Sequence, residues 1–164
     1  MESIKDIVDK ISSYHIFNYL LPGILFAFIT KETIGYNLIQ ENNLIGVFLY
    51  YFLGMTISRS GSLFIEPFLK RIQFVKFSEY KNFVLASKKD SKIELLSEVN
   101  NTYRTMLSMI LHLALLKGYI NIKVAYGISH NTTVLLVISF IALLFLFSYR
   151  KQTNYITKRI NANN

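Results

Sequence analysis

The sequence predicts an all-α, multi-pass transmembrane protein with four spans and a helical cytoplasmic segment between the second and third spans. Hydrophobic residues make up 52% of the 164 residues and charged residues 17%, against roughly 25% charged in an ordinary soluble domain. The apolar residues collect in runs, and the charges lie between the runs. One domain of this length is expected, since domains commonly hold ~100–200 residues.

Four runs of the chain are the candidate spans. About 20 apolar residues are needed to cross ~30 Å of hydrocarbon in a helix. The runs cover residues 11–30, 42–58, 105–122 and 132–149, and the last is the most hydrophobic. The third run has a short apolar core that contains His112 and ends near Lys117. Taken alone, that run fits a buried helix as well as a span.

The distribution of basic residues decides the doubtful third span. Lys and Arg side chains are retained on the cytoplasmic side of bacterial membranes. With four spans, 15 of the 18 basic residues lie inside, on the N-terminus, on residues 59–104 and on the basic tail 150–164. With three spans, the basic tail would have to cross the membrane. We therefore expect four spans, with both termini cytoplasmic.

The N-terminal half carries two further patterns. Ile4, Ile7, Val8 and Ile11 share one helical face, so residues 2–13 are expected to form an amphipathic helix on the inner membrane surface. No cleavable signal peptide is apparent. In the first span, Pro22–Gly23 is expected to kink the helix. In the second, Gly46, Tyr50 and Gly54 recur every four residues, which favours close packing, either between subunits or against spans of the same chain.

The cytoplasmic segment opens with residues 58–77, whose apolar positions follow helical spacing. Pro67 suits the first turn of a helix. Glu66 is the only acid between Arg59 and Lys76. It is expected to pair with Arg59 or Arg71, the alternative being a position on an ion path.

The second half of that segment predicts a helix that runs into the third span. Asp90 or Ser91 would be its N-cap, and Glu94 would lie in the first turn. Glu94, Glu98 and Asn101 share one stripe, and Arg104 lies on a neighbouring one. Such a stripe faces water or another subunit, and self-association would satisfy it. We therefore expect a homo-oligomer.

The sequence contains no recognisable catalytic, cofactor or metal motif. It has no cysteine, no phosphate-binding glycine loop and no nucleophile elbow. Arg104 and His112 resemble the Arg/His pair of HEPN nucleases, but their spacing is too long for joint action from one straight helix. The chain is therefore expected to be no enzyme, with neither cofactor nor metal. His112, an ionisable group within a span, is a functional candidate.

We attribute the formal net charge of +8 to contact between the chain and its partner, the lipid bilayer. A basic cytoplasmic face beside anionic headgroups accounts for it. The segment from Phe64 to Lys81 mixes Phe with Lys and Arg, but its spacing suits an interfacial helix better than a nucleic-acid site. Direct binding of nucleic acid is therefore not expected.

Two stretches of the cytoplasmic segment carry a family resemblance. The runs Ser58-Arg59-x-Gly61-Ser62-Leu63-x-Ile65-Glu66-Pro67 and Leu95-x-Ser97-Glu98-x-Asn100-Asn101-x-Tyr103-Arg104-Thr105 resemble small membrane proteins of bacterial phage-defence loci. The accessory membrane proteins of type VI-B CRISPR systems are the nearest of these. The resemblance implies a location in the bacterial inner membrane and an oligomeric effector that perturbs that membrane during infection.

Three functions remain open from the sequence. The first is an oligomeric pore with Glu66, Arg104 and His112 as its polar groups. The second is a membrane adaptor that docks a cytoplasmic protein partner through residues 59–104. The third is an intramembrane enzyme, for which no site is recognisable.

Overall fold

A computed structural model describes residues 13–163 of the chain, with side chains for residues 14–162. The described residues are almost entirely helical and contain no strand. The predicted amphipathic helix over residues 2–13 lies outside the described residues, except for Ser13. The all-α prediction is confirmed for the described part of the chain.

The first two helices each contain a π turn. Helix α1 comprises Ser13–His15, a π turn at Ile16–Leu20 and the α-helical stretch Leu21–Ile34. Helix α2 comprises Asn43–Ser60, a π turn at Gly61–Ile65 and a last stretch, Glu66–Arg71. The chain stays helical through both π turns. Each of the two helices is therefore one continuous rod with a wider turn inside it.

Each π turn lies just before a proline. Pro22 and Pro67 both come two residues after the last residue of a π turn. A proline ring clashes with the carbonyl four residues earlier, and a wider turn relieves that clash. The irregularity expected at Pro22 is thus a π turn. Pro67, predicted to lie in the first turn of a helix, lies in the first turn of the α-helical stretch Glu66–Arg71, which continues α2 after its π turn.

Helix α2 ends earlier than the apolar spacing of residues 58–77 predicted. Its last helical residue is Arg71, and Gln73 adopts a left-handed φ of 58°. The amide of Phe74 then donates to the carbonyl of Leu69, which closes the helix end. The helical spacing predicted over residues 58–77 therefore does not hold past Arg71, because the left-handed turn at Gln73 ends the helix.

Three further helices complete the described chain. They are α3 (Tyr80–Lys89), α4 (Lys92–Tyr126) and α5 (His130–Asn163). Helix α4 confirms the predicted helix that enters the third run, and the Asp90 carboxylate accepts from the amide of Lys92 at 2.9 Å. The basic tail is helical through Asn163, since α5 runs on past Tyr149 without a break.

Helices α4 and α5 are long and apolar enough to cross a membrane. Only 17% of the most apolar window of α4 and 11% of that of α5 is buried inside the chain. A core helix of a soluble protein would be mostly buried, so these two helices present their apolar surfaces outward.

Helices α1 and α2 approach each other backbone to backbone. A Cβ atom placed on Gly54 would overlap the carbonyl of Tyr19, and one placed on Gly23 would overlap the carbonyl of Tyr50. Gly54 therefore packs within the chain, which was the intrachain alternative for the glycine pattern. Gly46 is also buried but lies against Tyr50 of its own helix.

Helix α4 packs against this pair, and Phe26, Ile57 and Met109 form a small buried core between the three helices. The start of α1, the end of α2, the start of α4 and the later part of α5 all meet at one end of the bundle. We call this the cavity end. The four long helices therefore alternate in direction.

Candidate functional site

The helices meet near the cavity end through a buried cluster of polar side chains. Asn18 and Thr105 are fully buried, and the hydroxyl of Thr105 donates to Asn18 Oδ1 at 2.7 Å. The Asn18 amide donates to the hydroxyls of Ser58, at 3.3 Å, and Tyr14, at 3.1 Å. These bonds join α1, α2 and α4. They also satisfy polar groups that would otherwise cost ~1–3 kcal/mol each in an apolar interior.

The π turn of α1 gives Asn18 its position. Leu21 donates its amide to the carbonyl of Ile16, five residues back, so the helix is widened where Asn18 lies. The widened turn adds about one residue to the helical register, which turns later side chains by roughly 100°. Asn18 lies within this widened turn, and its side chain bonds to α2 and α4.

The polar row continues from this cluster along α4. The Ser108 hydroxyl donates to the carbonyl of Ile57 at 2.7 Å, and His112 Nδ1 lies 2.8 Å from the carbonyl of Ser108. A carbonyl only accepts, so His112 carries its proton on Nδ1. The ring faces Phe140 of α5, with 6.5 Å between the ring centroids. His112 is therefore held inside the bundle, next to α5.

A second polar cluster lies closer to the cavity end and centres on Glu66. This carboxylate is buried and forms ion pairs with three cations from three helices. Lys70 of α2 lies at 2.9 Å, Arg104 of α4 is in direct contact, and Lys151 of α5 lies at 3.7 Å. Lys151 also donates to the carbonyl and hydroxyl of Ser62 at 2.6 and 2.7 Å. One carboxylate thus joins three helices.

The charges around Glu66 set its protonation state. Burial alone would raise the pKa of the Glu66 carboxyl, but the hydrogen bond from Lys70 and the charges of Lys151 and Arg104 outweigh it and lower that pKa. The pKa of Lys151 is lowered, first by burial and then by the neighbouring positive charges, despite the attraction of Glu66. Glu66 is therefore ionised at neutral pH, and the cations around it are crowded.

A cavity of about 920 Å³ opens beside this cluster. Its walls come from all five helices and from the segment that follows α2. Basic side chains line it at Arg59, Lys70, Lys76, Arg104 and Lys158, whereas Glu66 is the only carboxylate among its lining residues. Aromatic rings of Phe77, Tyr80 and Tyr155 close one side. The pKa of Tyr155 is raised by burial and by the charge of Glu66, so its hydroxyl stays protonated.

The partners of Glu66 in the structure differ from those that were predicted. Neither Arg59 nor Arg71 pairs with it among the described residues, and Arg71 is exposed. The predicted pairing was wrong, because the π turn at Gly61–Ile65 rotates Glu66 away from Arg59. Arg59 instead lines the cavity, half-buried.

The polar stripe on α4, predicted to face water or another subunit, differs from that prediction at two of its residues. Asn101 lies 3.5 Å from the Tyr14 hydroxyl and Arg104 contacts Glu66, so both are used within the chain. Glu94 and Glu98 are exposed. Arg104 and His112 make separate contacts, Arg104 with Glu66 and His112 with the Ser108 carbonyl.

Sequence reasoning did not single out several site residues. Asn18, Ser58 and Thr105 of the first cluster and Lys151 of the Glu66 cluster lie tens of residues apart in the sequence. Asn18 was the one polar amide in an uncharged run, and that alone could have marked it, because a polar amide within a span usually bonds to a neighbouring helix.

The sequence matches no known protein family, and neither a characterised protein nor a solved structure matches it. The functional argument therefore depends on the geometry of the cavity end.

Proposed function

We propose that this chain is a four-span protein of the bacterial inner membrane that acts as an adaptor and receives a cytoplasmic component at the cavity end. The observation that supports the proposal is that two distant parts of the chain form one cavity. Residues 59–104 and the basic helical tail, far apart in sequence, build one basic cavity at the same end of the bundle. The resemblance of residues 58–67 and 95–105 to defence-locus membrane proteins suggests antiviral defence as the setting.

The four-span arrangement is supported by the helix directions and by the charges. Helices α4 and α5 are each long enough to span, and α1 and α2 lie antiparallel beside them. An even number of crossings brings the basic residues of the cavity end to one side, which the positive-inside rule assigns to the cytoplasm. The opposite end carries few basic side chains, among them Lys31 and Lys117.

Labelling of single cysteines tests this orientation directly, because the chain has no cysteine of its own. We expect Ser78→Cys, at the cavity mouth, to react with a membrane-impermeant maleimide only after the cytoplasm is opened. Glu41→Cys, exposed at the opposite end, is the matched control and should react in intact spheroplasts. Labelling of Ser78→Cys in intact spheroplasts would place the cavity outside and exclude a cytoplasmic adaptor.

A second candidate function is an oligomeric, pore-forming membrane effector. The observation that favours it is the polar row that runs from Glu66 through Thr105 and Ser108 to His112, inside the bundle. Polar groups within a span commonly mark ion paths. Self-association would supply the remainder of a conducting path.

The pore function predicts that His112→Leu abolishes depolarisation caused by overexpression while leaving insertion intact. Removing the imidazole leaves an apolar plug at the end of the row. His130→Leu, exposed and outside the row, is the control and should depolarise like the parent. Membrane-potential dyes and light scattering in mild detergent are the measurements. A monomeric parent that never depolarises cells would exclude the pore.

A further inference from the structure

The charge around the cavity is strongly unbalanced. Five basic side chains line it, and the ammonium of Lys151 lies beside it at Glu66. The carboxylate of Glu66 is already matched by three of these cations. Among the described residues, Arg59, Lys76 and Lys158 pair with no carboxylate. Three of these six cations therefore have no carboxylate partner among the described residues.

The basic side chains at the cavity repel one another, and this repulsion costs free energy. Burial and the charges of Arg104 and Lys70 already lower the pKa of Lys151. An anion with several oxygens would offset the repulsion among these side chains and would gain charge-assisted hydrogen bonds. Arg and Lys around a concave site are the usual means of holding phosphate groups.

The cavity also has the size and walls for more than a bare ion. Its volume of about 920 Å³ lies within the range of ~300–1,000 Å³ that is typical of small-molecule sites. Tyr80 and Tyr155 stand with their ring centroids 6.0 Å apart at its wall. Lys70 Nζ lies 4.0 Å from the Phe77 ring centroid. Such rings suit the apolar or planar body of a phosphorylated molecule.

We infer that the cavity binds a phosphate-bearing ligand, with its phosphate among Arg59, Lys76 and Lys158 and its body against the aromatic wall. Two sources supply this chemistry: the headgroup of an anionic phospholipid, and a soluble phosphate compound such as a nucleotide. The inference deepens the proposed function, since it names what the cavity end receives. It does not depend on which side of the membrane that end faces.

Thermal unfolding of the full-length protein in nanodiscs tests this inference and separates the two sources. In one arm, ATP or inorganic phosphate is added to phosphatidylcholine nanodiscs at constant ionic strength. In the other arm, phosphatidylglycerol replaces part of the phosphatidylcholine, with no soluble phosphate present. Because a bound ligand stabilises the folded state, we expect Tm to rise in one arm or both. Both faces of a nanodisc are accessible, so inverted topology would overturn the adaptor proposal and leave this result unchanged.

The double variant Lys76→Gln/Lys158→Gln provides the specific test. Both side chains are exposed and lie outside the Glu66 cluster, so their loss should not affect folding. We expect the ligand concentration that produces a given Tm shift to rise about tenfold for each cation removed, the loss typical of a charge-assisted hydrogen bond.

Lys31→Gln/Lys117→Gln removes the same charge at the opposite end and serves as the matched control. It should leave the ligand dependence unchanged. The absence of a Tm shift in both arms would overturn the inference, because it excludes binding. Equal ligand dependence in the two double variants would also overturn it, because binding would then reflect only a general charge effect.

Discussion

Replacing Glu66 by glutamine is expected to destabilise the protein more than any other single charge removal. Glutamine keeps the shape of the side chain but leaves Lys70, Arg104 and Lys151 without their shared counter-charge. Loss of one partner from a buried ion pair costs ~3–5 kcal/mol. Because these cations are partly exposed, we expect the free energy of unfolding to fall by about 3 kcal/mol. Unfolding by SDS, followed by circular dichroism in mixed micelles, measures the change.

Acidification gives this prediction a second readout. The pKa of Glu66 is lowered in the folded protein. The stability that it contributes is therefore fully present above its unfolded pKa of ~4.3 and is lost as the pH falls through the folded value. The difference in unfolding free energy between the parent and Glu66→Gln should therefore become smaller as the pH falls through that range.

Glu94→Gln is the matched control, since Glu94 is exposed and outside the cluster. Glu94→Gln should change the free energy of unfolding by no more than about 0.5 kcal/mol, as for most surface substitutions. If Glu66→Gln unfolds with the parent at neutral pH, the ion cluster does not hold α2, α4 and α5 together.

The hydropathy of the sequence was sufficient to predict helix α5, because its apolar run is long. The third run has only a short apolar core, so its assignment as a span needed the distribution of basic residues as well. The helix that enters the third run was predicted from the Asp90 signal and the first-turn Glu94, and Asp90 does accept the amide of Lys92. These features are local, so a single sequence contains them.

The partners of Glu66 could not be predicted, because they depend on packing and on a π turn. A straight α-helix would have placed Arg59, seven residues earlier, on the same face as Glu66. The π turn at Gly61–Ile65 inserts about one residue of register between them. Lys151 then reaches Glu66 from a helix 85 positions later, once α5 packs beside α2. No local pattern contains that information.

The glycine spacing of the second span indicated close packing but not its partner. Gly54 contacts α1, whereas the atoms nearest to a Cβ placed on Gly46 belong to Tyr50 of its own helix. The difference arises because two crossing helices approach most closely over a short stretch. Which glycine lies at the crossing is decided by the tertiary arrangement.

Gly54→Ala is therefore expected to separate α1 from α2. The added Cβ would overlap the carbonyl of Tyr19, and a backbone atom cannot rotate away as a side chain would. Overpacking costs typically ~1–3 kcal/mol, and a clash with rigid backbone should reach about 3 kcal/mol or prevent folding. Asn18 and Ser58 flank this contact, so their hydrogen bond should break with it.

Gly118→Ala is the matched control, because no atom lies within 4 Å of a Cβ placed at this exposed site of α4. Alanine is favoured over glycine in a helix by ~1 kcal/mol, so this variant should be as stable as the parent or more stable. SDS unfolding of both variants measures the difference, and cross-linking between cysteines introduced on α1 and α2 reports their separation. Equal SDS midpoints for Gly54→Ala and the parent, with cross-linking retained, would show that the two backbones do not meet at Gly54. The buried Asn18–Ser58–Thr105 cluster would then have to hold α1 and α2 together without that contact.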